Sequence, residues 1–424
     1  MPLFAFGSNG NGQLGVGHRD DCHRPQRCRF DEQAGSTSAL PRQVVGGGNH
    51  TLLVADDGQL FVTGANDAGQ LGTSRIPEET AVDGGKDTCR VVFTPAHWSL
   101  PAAVTSVACG WTHSLVLTEN GIVWSLGANG HGQCGRKDAA NDPAPQAMDL
   151  PRVDTDTVIT AAKTVALSAG LRSSCVVTFD ARAYACGCNR GGQLGLLPAE
   201  APASSAVQAR KRDMRSSASS INALSPIPSV DAVAVACGQR HTAFVAQDRQ
   251  SVRCFGDNRW HQLGQPTAAN ELQQGMITID QLREDGTMDT ATPTIVQIGA
   301  GWSHTVVLSS TGNVYAWGRG DRGQLGVRLD RNVQASADPI RVPLPAPARA
   351  IAVGSEHALA LLHDGRCYAW GWNEHGNCGT GDTLDVHTPV LVCVPQEKAV
   401  DAVAVQPAPI RGIGCGYGTS FLWT

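Results

Sequence analysis

The chain is short of charge. Only 17% of its 424 residues are Asp, Glu, Lys or Arg, too few for the solvated face of a helical bundle. Disorder is excluded as well, because 42% of the residues are apolar. Positive charge has no excess: 33 Lys and Arg stand against 38 Asp and Glu, a formal net charge of −5. An overall electrostatic footprint for nucleic acid is therefore missing, and only a local basic patch stays open. The opening Met1-Pro2-Leu3-Phe4-Ala5-Phe6-Gly7 has neither a basic stretch nor a long apolar core, so no secretory signal is read. No apolar run approaches the roughly 18 residues that a spanning helix requires. The expectation is a soluble, intracellular chain with no membrane partner. CxxC pairs are absent too, and in a reducing compartment the 14 cysteines are expected to be buried small hydrophobes. Asn49-His50-Thr51 matches a glycosylation sequon, a coincidence without secretion.

Glycine is what the chain has in quantity, 48 residues of it, and a turn-rich β protein follows. Length alone allows several domains, or one long closed β architecture. Self-similarity decides between them. One phrase recurs seven times: GSNGNGQLG (7–15), GANDAGQLG (64–72), GANGHGQCG (127–135), GCNRGGQLG (187–195), GDNRWHQLG (256–264), GRGDRGQLG (318–326) and GWNEHGNCG (371–379). Successive copies are 53 to 69 residues apart. A second phrase precedes most of them: glycine, two variable residues, usually histidine, then an apolar run, as in Gly110-Trp111-Thr112-His113-Ser114-Leu115. Between the two phrases, stretches such as HSLVLTENGIVWSLG read as a strand, a tight turn and a second strand. An apolar stretch ahead of the unit supplies a third strand, and a fourth should follow the QLG phrase.

Seven units of four short antiparallel strands predict an all-β, seven-bladed β-propeller, a single domain over 1–424. Residues 380–424 and 1–15 together make one missing period of 60. Closure is therefore expected by pairing of N- and C-terminal strands in one blade, which removes the loose edge. The segments 77–100, 196–229 and 267–294 read as mobile insertions. The second of them holds Ala209-Arg210-Lys211-Arg212 and Ser216 to Ser220, open to a phosphorylation or nuclear-targeting role.

No catalytic residue and no metal ligand is expected. GxGxxG occurs at 10–15 and 130–135, but a dinucleotide site needs it once, between a strand and a helix. His50, His113, His241, His304 and His357 occupy equivalent positions, with Ser173 and Thr419 in the other two copies. A catalytic or metal role does not need five separated copies, so these histidines read as hydrogen-bonded scaffold. Residues that differ between units are better candidates. The loop before the first hairpin strand and the loop after the second share one face. That places Trp111, Arg240, Trp302, Glu356 and Tyr417 beside His131, Trp260, His261, Arg319, Trp372, Glu374 and His375. The expected partner-binding set is Trp111, Trp260, Trp302, Trp372, Glu374, His375 and Tyr417, an arc of aromatics and charge suited to a protein hot spot. The alternative, that the tryptophans lie flat on their own blades, stays open.

The alternation of G-x-N-x-x-G-Q-L-G with C-G-x-x-H-S-L-V-L resembles the regulator of chromosome condensation repeat, and the resemblance covers nearly the whole chain. It implies the propeller, and in the chromosomal branch it implies nucleotide exchange on a small GTPase and nucleosome binding. A basic amino-terminal tail and a wedge-like insertion are not read in this sequence, which weakens that branch. FAFGSNGNGQLGVGH (4–18), GGNHTLLVADDG (47–58), CGWT (109–112) and AWGWNEHGNCG (369–379) look more like the short fungal alpha-tubulin-suppressor, or killer-toxin-insensitivity, branch. That likeness implies a cofactor-free, non-enzymatic partner of a small zinc-ribbon protein, in the cytoplasm and nucleus. The pair would support Elongator-dependent wobble-uridine modification of transfer RNA and diphthamide synthesis on elongation factor two. The link to Elongator would be indirect, with no direct nucleic-acid contact. Guanine-nucleotide exchange on a small GTPase is the alternative.

Overall fold

Alternating and continuous apolar stretches set the strands. Val104–Cys109 leaves Thr105 exposed and Ser106 half-buried, whereas His113–Thr118 is buried at every residue, as a strand packed on both faces must be. Val123–Gly127 and Asp142–Ala147 complete an antiparallel sheet in chain order. The computed structural model describes residues 2–31, 39–72, 89–136, 142–150, 152–155, 158–161, 163–196, 220–266, 274–278, 293–395 and 409–424. Among them are five four-stranded sheets, one seven-stranded sheet and a two-stranded hairpin, with no helix. The architecture is an all-β propeller. Its innermost strands surround a central cavity of about 320 Å³, lined by Gln43, Cys109, Ser168, Cys237, Gln297, Ile351 and Cys415 among others.

Two sheets depart from simple repetition. Ser220–Cys237 runs on for 18 residues; residues 220–231 pair with Arg182–Cys188 and residues 232–237 with His241–Ala246. In the other, Thr419–Trp423 lies against Leu3–Gly7, with Leu3 opposite Trp423 and Gly7 opposite Thr419. The three segments read as insertions are described only in part. Arg90–Pro95 and Gln274–Thr278 are paired strands inside 77–100 and 267–294, and Ser220–Cys237 begins within 196–229 and runs beyond it. Their remainders, including Ala209-Arg210-Lys211-Arg212, lie outside the described residues.

The QLG phrase repeats because its polar side chains hold its own loop. Asn9 Oδ1 accepts the Leu14 N–H at 3.0 Å and Gln13 Oε1 accepts the Asn11 N–H at 2.8 Å. The same pair of bonds recurs at Asn129 with Gln133 and at Asn258 with Gln262. Gly12 and Gly15, at φ +75° and +66°, make the turns that this ligation requires. The GxGxxG matches are thus loop geometry in strand-to-strand connections.

The repeated histidines tie neighbouring units together. Ser114 Oγ donates to Gln70 O at 2.8 Å and so accepts from His50 Nε2–H, 2.8 Å away. His113 reaches Ser174, His241 reaches Thr305 and His357 reaches Ser420 in the same way, and each hydroxyl donates to a backbone carbonyl of the QCG, QLG or NCG phrase. These buried histidines are relays in the scaffold. His304 alone among the five has neither ring nitrogen partnered in the described residues, because Ala358 stands where the others meet a hydroxyl.

Ala358→Ser should therefore stabilise the protein. Ala358 faces Trp370 as Thr305 faces Trp317, and Gln262 O already accepts both Thr305 Oγ1 and Trp317 Nε1. The equivalent Gln324 O accepts Trp370 Nε1 at 3.1 Å and has a second lone pair for a serine. A gain of about 1 kcal/mol is expected in urea denaturation; a loss would show that the relay does not transfer.

Candidate protein-binding face

The inner loop and the QLG loop of a unit are locked side by side by one backbone bond. Cys188 N–H donates to Arg172 O, Asp257 N–H to Arg240 O, Arg319 N–H to Ser303 O and Trp372 N–H to Glu356 O, all within 2.8 to 2.9 Å. Both loops thus share a face, as the sequence pattern implies. The seven expected residues fall there in separate groups.

Trp111 and Tyr417 meet edge to face at 5.4 Å between ring centroids. They come from units on either side of the one containing Gly48. A Cβ on Gly48 would lie 2.7 Å from Trp111 Cδ2, so glycine there allows the rings to meet. Tyr417 also lines the cavity mouth, and burial pushes its phenol well above the ordinary range.

Trp260 is covered by a cation. The Arg319 guanidinium sits 4.7 Å from its ring centroid, a contact that stabilises by up to about 2 kcal/mol when desolvated. Arg319 Nε is 2.7 Å from Asp321 Oδ1, and Nη1 is 3.5 Å from Glu356 Oε1. Gln324 Nε2 donates to Glu356 Oε2 at 2.5 Å. Burial pushes the Glu356 carboxyl upward, and the Gln324 donor and Arg319 charge offset only part of that. For Asp321 burial acts the same way, but the Arg319 guanidinium prevails and holds its pKa below the usual value. Three consecutive units are joined here by one charged network.

Trp372, Glu374 and His375 form the third group. The Trp372 indole and His375 ring meet edge to face at 5.3 Å, and Trp372 Nε1 donates to Glu374 Oε2 at 3.2 Å. His375 Nδ1 is 2.7 Å from Asp21 Oδ2, whose other oxygen accepts the Asn9 N–H. Glu374 is exposed. Trp302 stands apart: its backbone N–H donates to Ser355 O at 2.6 Å, and its buried indole N–H has no acceptor among the described residues. Asp21, Asp321 and Asp385, which pairs with Arg322 at 3.5 Å, join the site without having been singled out in the sequence. The departure of GRGDRGQLG from the asparagine rule was the available signal for Asp321.

The opposite face carries the tight turns and the hairpin Arg152–Thr155 with Val158–Ala161, which among the described residues pairs only with itself. It lies between Met148 and Thr164, and the chain re-enters the sheet where Thr164 N–H donates to Gly121 O. The sequence reading found no such insertion. Its two arms have four residues each, too short for alternation to mark them. Among the described residues no group of three or more His, Cys, Asp or Glu is placed to hold a metal, and no helix is long and apolar enough to cross a membrane.

A family model described as RCC1-like domain matches residues 2–422. The secretion-regulating guanine nucleotide exchange factor of Bos taurus is 31% identical over 403 residues, spanning 91% of this chain and 77% of that protein. An RCC1 repeat-containing protein of Schizosaccharomyces pombe is 29% identical, over 99% of this chain and 98% of its own. The crystal structure of human WBSCR16 superposes with a TM-score of 0.73 over 99% of this chain and 98% of its own, at 22% identity, a likeness of fold.

Proposed function

The chain belongs to the RCC1-like domain family, and from that premise we propose that it is a regulatory binding propeller that promotes guanine-nucleotide exchange on a small GTPase. Seven blades are inferred, with Ser220–Cys237 shared by two of them and the sheet of Leu3–Gly7 and Thr419–Trp423 closing the ring. The observation that carries the exchange reading is the self-paired hairpin at 152–161, an element outside the repeat on the turn-bearing face. The name of the Bos taurus relative supports the same reading. Exchange requires no nucleophile or general base from the propeller, since a wedge that favours the nucleotide-free GTPase shifts its equilibrium by binding alone. Accelerated release of a labelled guanine nucleotide from a panel of small GTPases tests it. Replacing 152–161 by a short glycine-serine turn should lower the rate about tenfold or more; release from no GTPase would sink the reading.

The second reading is a heterodimer with a small zinc-ribbon protein, supporting Elongator-dependent modification of transfer RNA and diphthamide synthesis. It is favoured by the half-exposed group of Trp372, Glu374 and His375, which lies in the phrase that carries the fungal resemblance. Under it, Trp372→Ala weakens capture of the zinc-ribbon protein by about 2 kcal/mol or more, as truncation of a hot-spot aromatic does, and leaves nucleotide release untouched. Equal capture by wild type and variant would remove that group from the interface.

A further inference from the structure

The loop-bearing face carries internally paired charges, Asp257 with Arg259 and Arg319 with Asp321 and Glu356, and beside them two patches of opposite sign. On one side stand Asp20, Asp21, Glu374, Asp382 and Asp385, some paired with His18, His375 or Arg322. The other side holds Arg172, Arg190 and Arg240, all exposed. They come from two adjacent units. Arg172 is fixed by the bond from Cys188 N–H to its carbonyl, and Arg240 by the bond from Asp257 N–H. Arg190 and Gly191 adjoin the second of these loops: a Cβ on Gly191 would lie 3.8 Å from Arg240 Cβ. None of the three guanidiniums has an ion pair or hydrogen bond among the described residues. His131, from the preceding unit, borders them. Burial and then the charges of Arg172 and Arg190 hold its pKa below the ordinary value, with no acid offsetting them.

With no ion pair or hydrogen bond to make, the three exposed guanidiniums contribute little to the stability of the fold. We propose that Arg172, Arg190 and Arg240, with His131 at their edge, form a docking site for a carboxylate-rich segment of a protein partner. Each guanidinium offers a planar fork of donors that matches a carboxylate. The acidic side of the same face selects against an extended polyanion, whose charge would continue past the arginines and meet Asp21 and Glu374. A short acidic segment ends within the patch. The site is independent of the hairpin and of the Trp372 group, so it stands or falls apart from either partner above.

The test uses the full chain and a labelled poly-glutamate peptide, titrated by fluorescence anisotropy at low and physiological salt. Binding should be salt-sensitive and weaken about tenfold or more in the triple variant Arg172→Glu, Arg190→Glu and Arg240→Glu. Arg411→Glu, on an exposed residue outside this face, should bind as wild type does. All three arginines are exposed and unpaired, so the triple variant should keep the wild-type melting curve, and a neutral Arg→Gln triple should show an intermediate affinity. Absence of peptide binding at low salt, or equal weakening in Arg411→Glu, overturns the proposal. So does tighter binding of a single-stranded oligonucleotide, or full competition by inorganic phosphate at concentrations where glutamate has no effect.

Discussion

Gly256→Ala is expected to leave little or no folded protein. Gly256 has φ +121°, and a Cβ there would lie 2.2 Å from Arg240 O and 2.8 Å from His241 Cα. Neither atom can retreat. His241 is the strand partner of Gly256, Asp257 N–H donates to Arg240 O, and Gly238 N–H donates to His241 O. Backbone strain at such a φ costs about 1–3 kcal/mol for a residue with a side chain. Overlap with fixed main chain adds about 1–3 kcal/mol or more, and the sum is a large part of the roughly 5–15 kcal/mol that holds a domain folded. Gly10→Ala is the matched control: its Cβ would meet nothing within 4 Å, and the change should stay within about 0.5 kcal/mol. Soluble yield and urea denaturation of the two variants decide the matter; a Gly256→Ala protein that melts like wild type would refute the steric account. The same position connects to function, because Gly256 opens the loop carrying Trp260 and abuts the loop carrying Arg240.

The repeats were legible because their causes are local. A hairpin turn, an asparagine ligating its own loop and a glycine at positive φ all act within ten residues, so each copy spells them out. Outer strands were legible only as a fourth strand due after each QLG phrase, not in their position or extent. Arg90–Pro95 and Gln274–Thr278 bond through their main chain to a partner that any sequence can satisfy, and their side chains therefore vary. Ser220–Cys237 changes partner at Asp231 and Ala232, just after Ser229 turns to φ +59°, and a serine in place of glycine gives no sequence signal for that turn. The site divides the same way. Its aromatics were readable as loop residues that differ between units, but their companions come from other units. Trp111 reaches Tyr417 only across Gly48. Trp260 is covered by Arg319 from the next copy of the phrase. Arg172, Arg190 and Arg240 are ordinary surface residues one by one, and only the junction geometry assembles them.

Acid should unfold the protein steeply, with a midpoint near pH 5. Burial lowers His50 and His304 from 6.5 to about 3, and His113, His241 and His357 to about 4. The folded values lie below the unfolded one, so between them the unfolded chain binds the extra protons. Stability is thus fully present above pH 6.5 and is lost as pH falls through the window toward 4. Each histidine contributes a slope of about 1.4 kcal/mol per pH unit in that window. Five together reach about 7 kcal/mol per unit, enough to exhaust a stability of about 5–15 kcal/mol within two units. Carboxylates stay largely ionised above pH 5, so the upper half of the window reports on histidine. The dependence of urea-derived stability on pH should therefore correspond to uptake of close to five protons on unfolding. His304→Leu removes one of them without breaking a hydrogen bond, and should lower the slope by about one proton whatever it does to stability at pH 8. An uptake below one proton would mean that the histidines are already charged in the folded ring. That would contradict the burial that lowers their pKa, since the Nε2–H bond to the hydroxyl is the same in the neutral and protonated rings, while a proton on Nδ1 of His50, His113, His241 or His357 meets no acceptor among the described residues.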